Sequence, residues 1–187
     1  MKLGSERVML TVLTIIAALA AFGSFAWGLK HHFRIEGEMP SRMTGLSACS
    51  TAAFLLFVGL LLLSGVGPAA GLAAIALFLA GGMLFWWAVR TTKARPPAIA
   101  HTDNIPTMIH ADGPYAYIRH PFYLAYSLGW LGTAIAGGPI QWVPAFLIIG
   151  WYYRTAHEEE EHFATSELAA EYAQYREKTG LILPRML

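Results

Sequence analysis

The sequence predicts an all-α, polytopic membrane protein with about five transmembrane helices, the last two paired as a helical hairpin, and a cytoplasmic C-terminal helix. Three observations carry that expectation. Of 187 residues, 56% are hydrophobic and only 13% charged, against about 25% charged in a soluble domain. The charges are segregated from long uncharged stretches, and the mean hydropathy is +0.46. Clusters of Gly and Pro divide those stretches into lengths suited to crossing roughly 30 Å of hydrocarbon. A soluble domain of this composition would expose large apolar patches that a bilayer would accommodate. The chain reads as one domain, 1–187, with a three-span part over 1–90 and a polar, chemistry-bearing part over 91–187.

Val8 to Leu29 contains no Asp, Glu, Lys or Arg and forms the first expected span. A signal peptide is the alternative, since Lys2 and Arg7 precede it. The run is longer than an h-region of about 7–15 residues, and no A-x-A site follows. Met43 to Val89 is also free of those four residue types, too long for one helix. Ser64-Gly65-Val66-Gly67-Pro68 is turn chemistry that divides it, giving spans from about Gly45 to Leu63 and Ala69 to Val89. His120 to Tyr153 divides at Ala136-Gly137-Gly138-Pro139 into a tight hairpin. Trp86, Trp87, Trp142 and Trp151 to Tyr153 fall near span ends, as interfacial aromatics do.

The turns at Ser64–Pro68 and Ala136–Pro139 carry no charge. The opposite ends collect Lys30, Arg34, Arg42, Arg90, Lys93, Arg95, Arg119 and the polar tail. The positive-inside rule then sets the C-terminus in the cytoplasm and the N-terminus outside, leaving Lys2 and Arg7 on the less favoured side. In a bacterial cell this is an inner-membrane protein. A net charge of +1 shows no polybasic bias, so nucleic acid is not an expected partner. Cys49 stands alone and reads as a packing residue.

Two polar segments bracket the hairpin. The connector, Arg90 to Arg119, ends in Gly113-Pro-Tyr-Ala-Tyr-Ile-Arg-His-Pro-Phe-Tyr123. Pro121 disfavours helix at His120 and suits a first helical turn, where free N–H groups and the helix dipole can hold a carboxylate. Arg119 and His120 add donors, although Arg and His at a helix mouth also simply snorkel into headgroups. The tail opens with Arg154-Thr-Ala-His and then Glu158 to Glu161. Arg154 and Glu158, four apart, share a face, while four successive glutamates fan around a helix and are expected mostly in solvent, with one or two facing the connector. Ala164, Leu168, Tyr172 and Tyr175 form a helical apolar stripe that Thr179-Gly180 and Pro184 stop.

No metal is expected: His157 and His162 stand five apart, not the four of an HExxH face. His31-His32 reads as an interfacial pair. Walker, GxGxxG and nucleophile-elbow motifs are absent.

These two segments resemble the isoprenylcysteine carboxyl methyltransferase family and its bacterial-type membrane relatives. The residues that carry the resemblance are Gly113, Tyr115, Arg119, His120, Pro121 and Tyr123, then Arg154, Glu158, Glu159, Tyr172 and Tyr175, over roughly Thr107 to Pro184. The chain differs at Thr107 to His110, where the family has His-x-Leu-Val, and at Ala169, where it has Gly. The resemblance implies S-adenosyl-L-methionine as cofactor, held on the cytoplasmic side by Thr107, Met108, Ile109, His110, Tyr115, His120, Pro121, Phe122, Tyr123, Glu158 and Glu159. It implies Arg154 as the residue that meets the methyl acceptor, with Arg119 beside it as a catalytic donor. The acceptor implied is lipophilic, an isoprenylcysteine-like carboxylate or another small molecule entering from the bilayer among the membrane lipids. The rival readings are a phospholipid N-methyltransferase, an NADPH-dependent membrane reductase and a non-catalytic membrane protein.

Overall fold

The computed structural model describes residues 2–35, 37–101 and 108–185. Among them are six α-helices: α1 (Lys2–His31), α2 (Ser41–Ser64), α3 (Pro68–Thr92), α4 (Pro121–Gly137), α5 (Pro139–Ala164) and α6 (Ala169–Lys178), with a short 3-10 turn at Gly113–Ala116. Helices α1, α2 and α3 are each long and apolar enough to cross a membrane. They turn large apolar side chains outward, such as Leu63, Leu72 and Met83, which water would penalise and lipid would not. Of the five expected spans, these three stand on length and apolarity. Helix α4 has only 17 residues, and α5 becomes charged after Tyr153.

The turns fall where the Gly and Pro clusters put them. Gly65 follows α2 at φ +65° and Gly138 links α4 to α5 at φ +78°, left-handed conformations that glycine adopts without a Cβ penalty. Arg7 has a structural use at the first of these turns. Its guanidinium donates to Ser64 O at 2.8 Å, satisfying a terminal carbonyl of α2, while Thr11 Oγ1 accepts from Val66 N at 3.1 Å.

Helix α3 packs along α1 and α4, and α4 along α5. Close approach of α3 and α4 rests on Gly81, where an added Cβ would come within 2.8 Å of Ala125 O. Small residues at such crossings are the means by which helices associate in lipid. Phe57, Phe78 and Trp130 are fully buried near the centre. Gln141 is buried too and donates to Ala53 O at 3.2 Å.

At the polar end the loops are tied together. His32 Nε2 lies 2.8 Å from Thr92 Oγ1, whose own proton goes to Ala88 O, so the imidazole donates. Arg34 N donates to Pro97 O and Ile99 N to Arg34 O, at 3.0 and 2.9 Å, joining the first loop to the connector.

The tail differs from the single surface helix expected after Tyr153. Helix α5 runs on through the glutamates to Ala164, and the stripe Ala164–Leu168–Tyr172–Tyr175 is split at Thr165–Leu168. The Ser166 hydroxyl donates to Phe163 O and accepts from Leu168 N, and Thr165 bonds His162 O. Such local bonds compete with the helix ladder.

Candidate functional site

The connector enters the site through Gly113. Its φ is +57°, and a Cβ there would lie 2.3 Å from Thr91 Oγ1, so glycine alone fits the turn that buries Tyr115. The Tyr175 hydroxyl donates to Tyr115 O at 2.7 Å, bringing α6 over this turn. The next residues pair with the tail: Arg119 N donates to Gly180 O at 2.8 Å, His120 N to Leu181 O at 3.0 Å and Gly180 N to Tyr117 O at 3.1 Å. Pro121 then opens α4, with His120 outside it at φ −123°.

The four glutamates do not form a solvated face. Glu158 Oε1 accepts from Arg154 Nε at 2.9 Å and its Oε2 from Arg42 Nη1 at 3.3 Å. His101 Nδ1 stands 3.7 Å from Oε2. Glu159 Oε1 accepts from the Tyr123 hydroxyl at 2.5 Å, and its Oε2 is 3.5 Å from His120 Nδ1. Glu160 pairs with Arg119 in a buried contact and with Arg176 at 3.3 Å, while Arg119 also donates to Thr179 O. Glu161 is exposed. Three of the four carboxylates therefore meet partners as α5 carries them past the connector and tail, but only Glu160 is buried; Glu158 and Glu159 stay 30% and 35% exposed.

These partners set the protonation states. Burial alone would raise the Glu160 carboxyl, but the nearby His120 imidazole, the Arg119 bond and the Arg176 charge outweigh it and take it down to about 2. Burial pushes His120 down, and the Glu159 and Glu160 carboxylates more than reverse it, so its pKa is raised. The Arg154 bond lowers the Glu158 pKa. His101 is held below its ordinary value by burial. Its Nε2 accepts from Trp151 Nε1 at 3.2 Å, and indole only donates, so the ring proton sits on Nδ1, toward Glu158. His101 holds this pose with φ +63°, a left-handed conformation costing on the order of 1 kcal/mol in a non-glycine residue.

One cavity of about 1450 Å³ runs through the site. Met108, Ile109, His110, Tyr115, Arg119, His120, Pro121, Phe122, Tyr123, Glu158 and Glu159 all line it, so the motif residues named from the sequence do come together. Thr107 lies outside the described residues. Arg154 does not line the cavity; its side chain is 77% exposed and reaches Glu158 from the outer side. Arg119 lines it while bound to Glu160 and Thr179, which fixes the tail against the connector.

The deeper half is apolar: Phe22, Phe25, Leu46, Phe54 and Trp130 line it. Phe22 packs against Phe54 and Trp130 with ring centroids 4.8 and 4.9 Å apart. Between the halves, Tyr123 is stacked between His120 and Tyr152, at 5.4 and 5.6 Å. Arg42, His101 and this apolar half carry no local motif. The one signal for Arg42 was its standing alone as a charge at the start of a long apolar run.

His120 Nε2 is buried in the polar half without a hydrogen-bond partner among the described residues. Glu160 Oε1, at 3.8 Å, is near enough to attract its charge and too far to accept a bond.

Over 87 residues, 46% of its length, the chain is 30% identical to the protein-S-isoprenylcysteine O-methyltransferase of Schizosaccharomyces pombe. The match spans 37% of that protein. No protein-family model matches the chain, and no solved structure does.

Proposed function

We propose that this chain is an integral membrane methyltransferase that uses S-adenosyl-L-methionine to methylate a lipophilic acceptor drawn from the bilayer. The observation that carries the reading is the cavity, which joins a polar half lined by the motif residues to an apolar half between α1, α2 and α4. Similarity to a methyltransferase acting on a lipid-modified cysteine agrees with it.

The polar half has the chemistry such a cofactor requires. The unpartnered His120 Nε2 offers a polar contact, and the Glu159 carboxylate offers a partner for an ammonium. Tyr115 and the stacked Phe163–Tyr172 pair, 4.2 Å apart, offer flat apolar faces. Met108 to His110, Tyr115, His120 to Tyr123, Glu158 and Glu159 would hold the cofactor. When bound, S-adenosylmethionine supplies a methyl group on a cationic sulfur, open to direct displacement.

The protein's own part is positioning and the exclusion of water. A carboxylate acceptor is already ionised at neutral pH, its pKa being near 4, so no general base is required. Alignment of acceptor and methyl at about 3–3.5 Å in a dry site can contribute several kcal/mol. An amine acceptor, as in phospholipid N-methylation, would have to lose a proton. Glu160, at about 2 and outside the cavity lining, is a poor base for that step, whereas a carboxylate such as that of an isoprenylcysteine-like molecule needs none. Arg154, through Glu158, steadies the cavity mouth.

We read α4 and α5 as a fourth and fifth span, with the polar end and site in the cytoplasm and the N-terminus outside. Single cysteines at Val66 and Ile182, in a Cys49→Ala background, should label from opposite sides; labelling from one side would remove this topology. For the reaction, purified protein is incubated with methyl-labelled S-adenosylmethionine and a native lipid extract. Label is expected in a base-labile ester of a lipophilic acid. Label in a headgroup amine would assign the chain to phospholipid N-methylation, and none in any lipid would remove the reading.

A further inference from the structure

Helix α2 presents one stripe to the cavity. Arg42, Leu46, Ser50 and Phe54 recur every four residues and all line it, the spacing that keeps side chains on one helical face. Arg42 heads the stripe and is the only charged residue of the helix. From Arg42 to Phe54 the helix rises about 18 Å. A molecule whose tail lies along Leu46 and Phe54 therefore has its head beside the Arg42 guanidinium.

That guanidinium has capacity to spare. Arg42 uses Nη1 on Glu158 Oε2 at 3.3 Å, and its other donors have no partner among the described residues. The side chain is 60% exposed at the cavity mouth. Glu158 is bonded more closely by Arg154, at 2.9 Å from the side away from the cavity. Among the described residues, one carboxylate between two guanidiniums leaves one positive charge uncompensated, since His101 is neutral with its proton on Nδ1. Glu159, the next carboxylate along, faces Tyr123 and His120 and makes no pair with Arg42. Of the two arginines only Arg42 lines the cavity, so the excess charge is offered to a ligand there.

We propose that Arg42 binds the acidic head group of the methyl acceptor, through the guanidinium donors that Glu158 leaves free. Glu158 and Arg154 act behind it as positioning residues. The identity of the ligand as acceptor rests on the methyl-transfer reading; the anion site on Arg42 does not, and can be measured without turnover.

The test uses S-dodecyl-N-acetylcysteine and its uncharged carboxamide, each tritiated, bound at equilibrium to the full chain in phosphatidylcholine nanodiscs. Wild-type protein should bind the carboxylate about ten- to a hundredfold more tightly than the carboxamide, as a charge-assisted bond predicts. Arg42→Gln should bring the two probes to within about threefold while leaving carboxamide binding unchanged, and Arg42→Lys should restore part of the preference. Arg154→Gln should keep most of it. An undiminished preference in Arg42→Gln, or equal loss in Arg154→Gln and Arg42→Gln, would overturn the assignment. So would displacement of the carboxylate probe by phosphatidylglycerol at equal concentration, which would make the site one for lipid headgroups. An Arg42-dependent preference with no methyl transferred to the probe would leave the anion site standing and remove the methyl-transfer reading alone.

Discussion

Two arginine–glutamate pairs meet on opposite faces of one turn of α5, and they differ in almost everything but residue type. Arg119 and Glu160 lie 41 residues apart in the chain, with side chains 9% and 5% exposed. Arg154 and Glu158 lie four apart, at 77% and 30%. The first pair is enclosed by Arg176, Thr179 and His120 and ties the motif segment to the tail. The second opens to solvent on one side and to Arg42 and His101 on the other. Burial decides which pair fixes the fold. A buried charge is costly to leave alone, whereas an exposed pair is screened and each partner is readily solvated. The pair with little structural worth is the one whose carboxylate also reaches Arg42 at the cavity mouth.

The largest expected effect breaks the buried pair. Glu160→Gln keeps the shape and removes the charge, leaving Arg119 buried without a counter-ion, at a cost of about 3–5 kcal/mol. The melting temperature in detergent should fall by roughly 10 °C. A fall no greater than that of an exposed-pair variant would erase the distinction between the two pairs.

The same contrast should appear in pH. Glu160 titrates at about 2 in the folded chain against 4.5 ordinarily. A depressed carboxyl contributes stability that is fully present above the ordinary value and lost as pH falls through the folded one. His120, raised by its carboxylates, contributes stability below its ordinary value of 6.5, lost as pH rises through its folded value. The clamp is strongest between these limits. Thermal melts from pH 7 to pH 2 should show an acid loss below about pH 4.5 that Glu160→Gln largely removes; an unchanged acid limb would locate the titrating group elsewhere.

The smallest expected effect is on the exposed pair. Arg154→Ala should cost about 0.3–0.5 kcal/mol, barely visible in a melt and smaller still in high salt. A drop of several degrees would show that this pair too is structural, and sharpen the case for Arg42 as the arginine that meets the ligand.

What the sequence showed and what it hid divide along the range of the interactions. Helix ends were legible because glycine and proline act locally: Gly65, Gly138, Pro121 and Pro139 stand at turns or helix starts in the fold. The motif residues from His110 to Tyr123 were legible as a group because they are nearly contiguous. Arg42, His101 and Glu158 come together from three distant elements, and no spacing announces such a meeting. For the glutamate run the sequence indicates solvent with one or two carboxylates facing the connector, but not that Glu160 is the buried one, because that depends on where α5 ends. That end is set by Ser166 and by the pairing of Gly180 with the connector, which periodicity does not register. Arg7 seemed misplaced by the charge rule and proved to cap α2, a role visible only once α1 and α2 are packed.

In the proposed reading the polar half of the cavity binds S-adenosylmethionine, and the His120 nitrogen left without a partner among the described residues is one of its contacts. Isothermal titration of S-adenosylmethionine into the wild-type protein and His120→Ala, both in detergent and with melting temperatures recorded, tests it most directly. The wild type should bind saturably and His120→Ala at least about tenfold more weakly, the loss expected for one buried polar contact to a charged ligand. Equal affinity in the two proteins, or a wild type that binds NADPH and not S-adenosylmethionine, would contradict it.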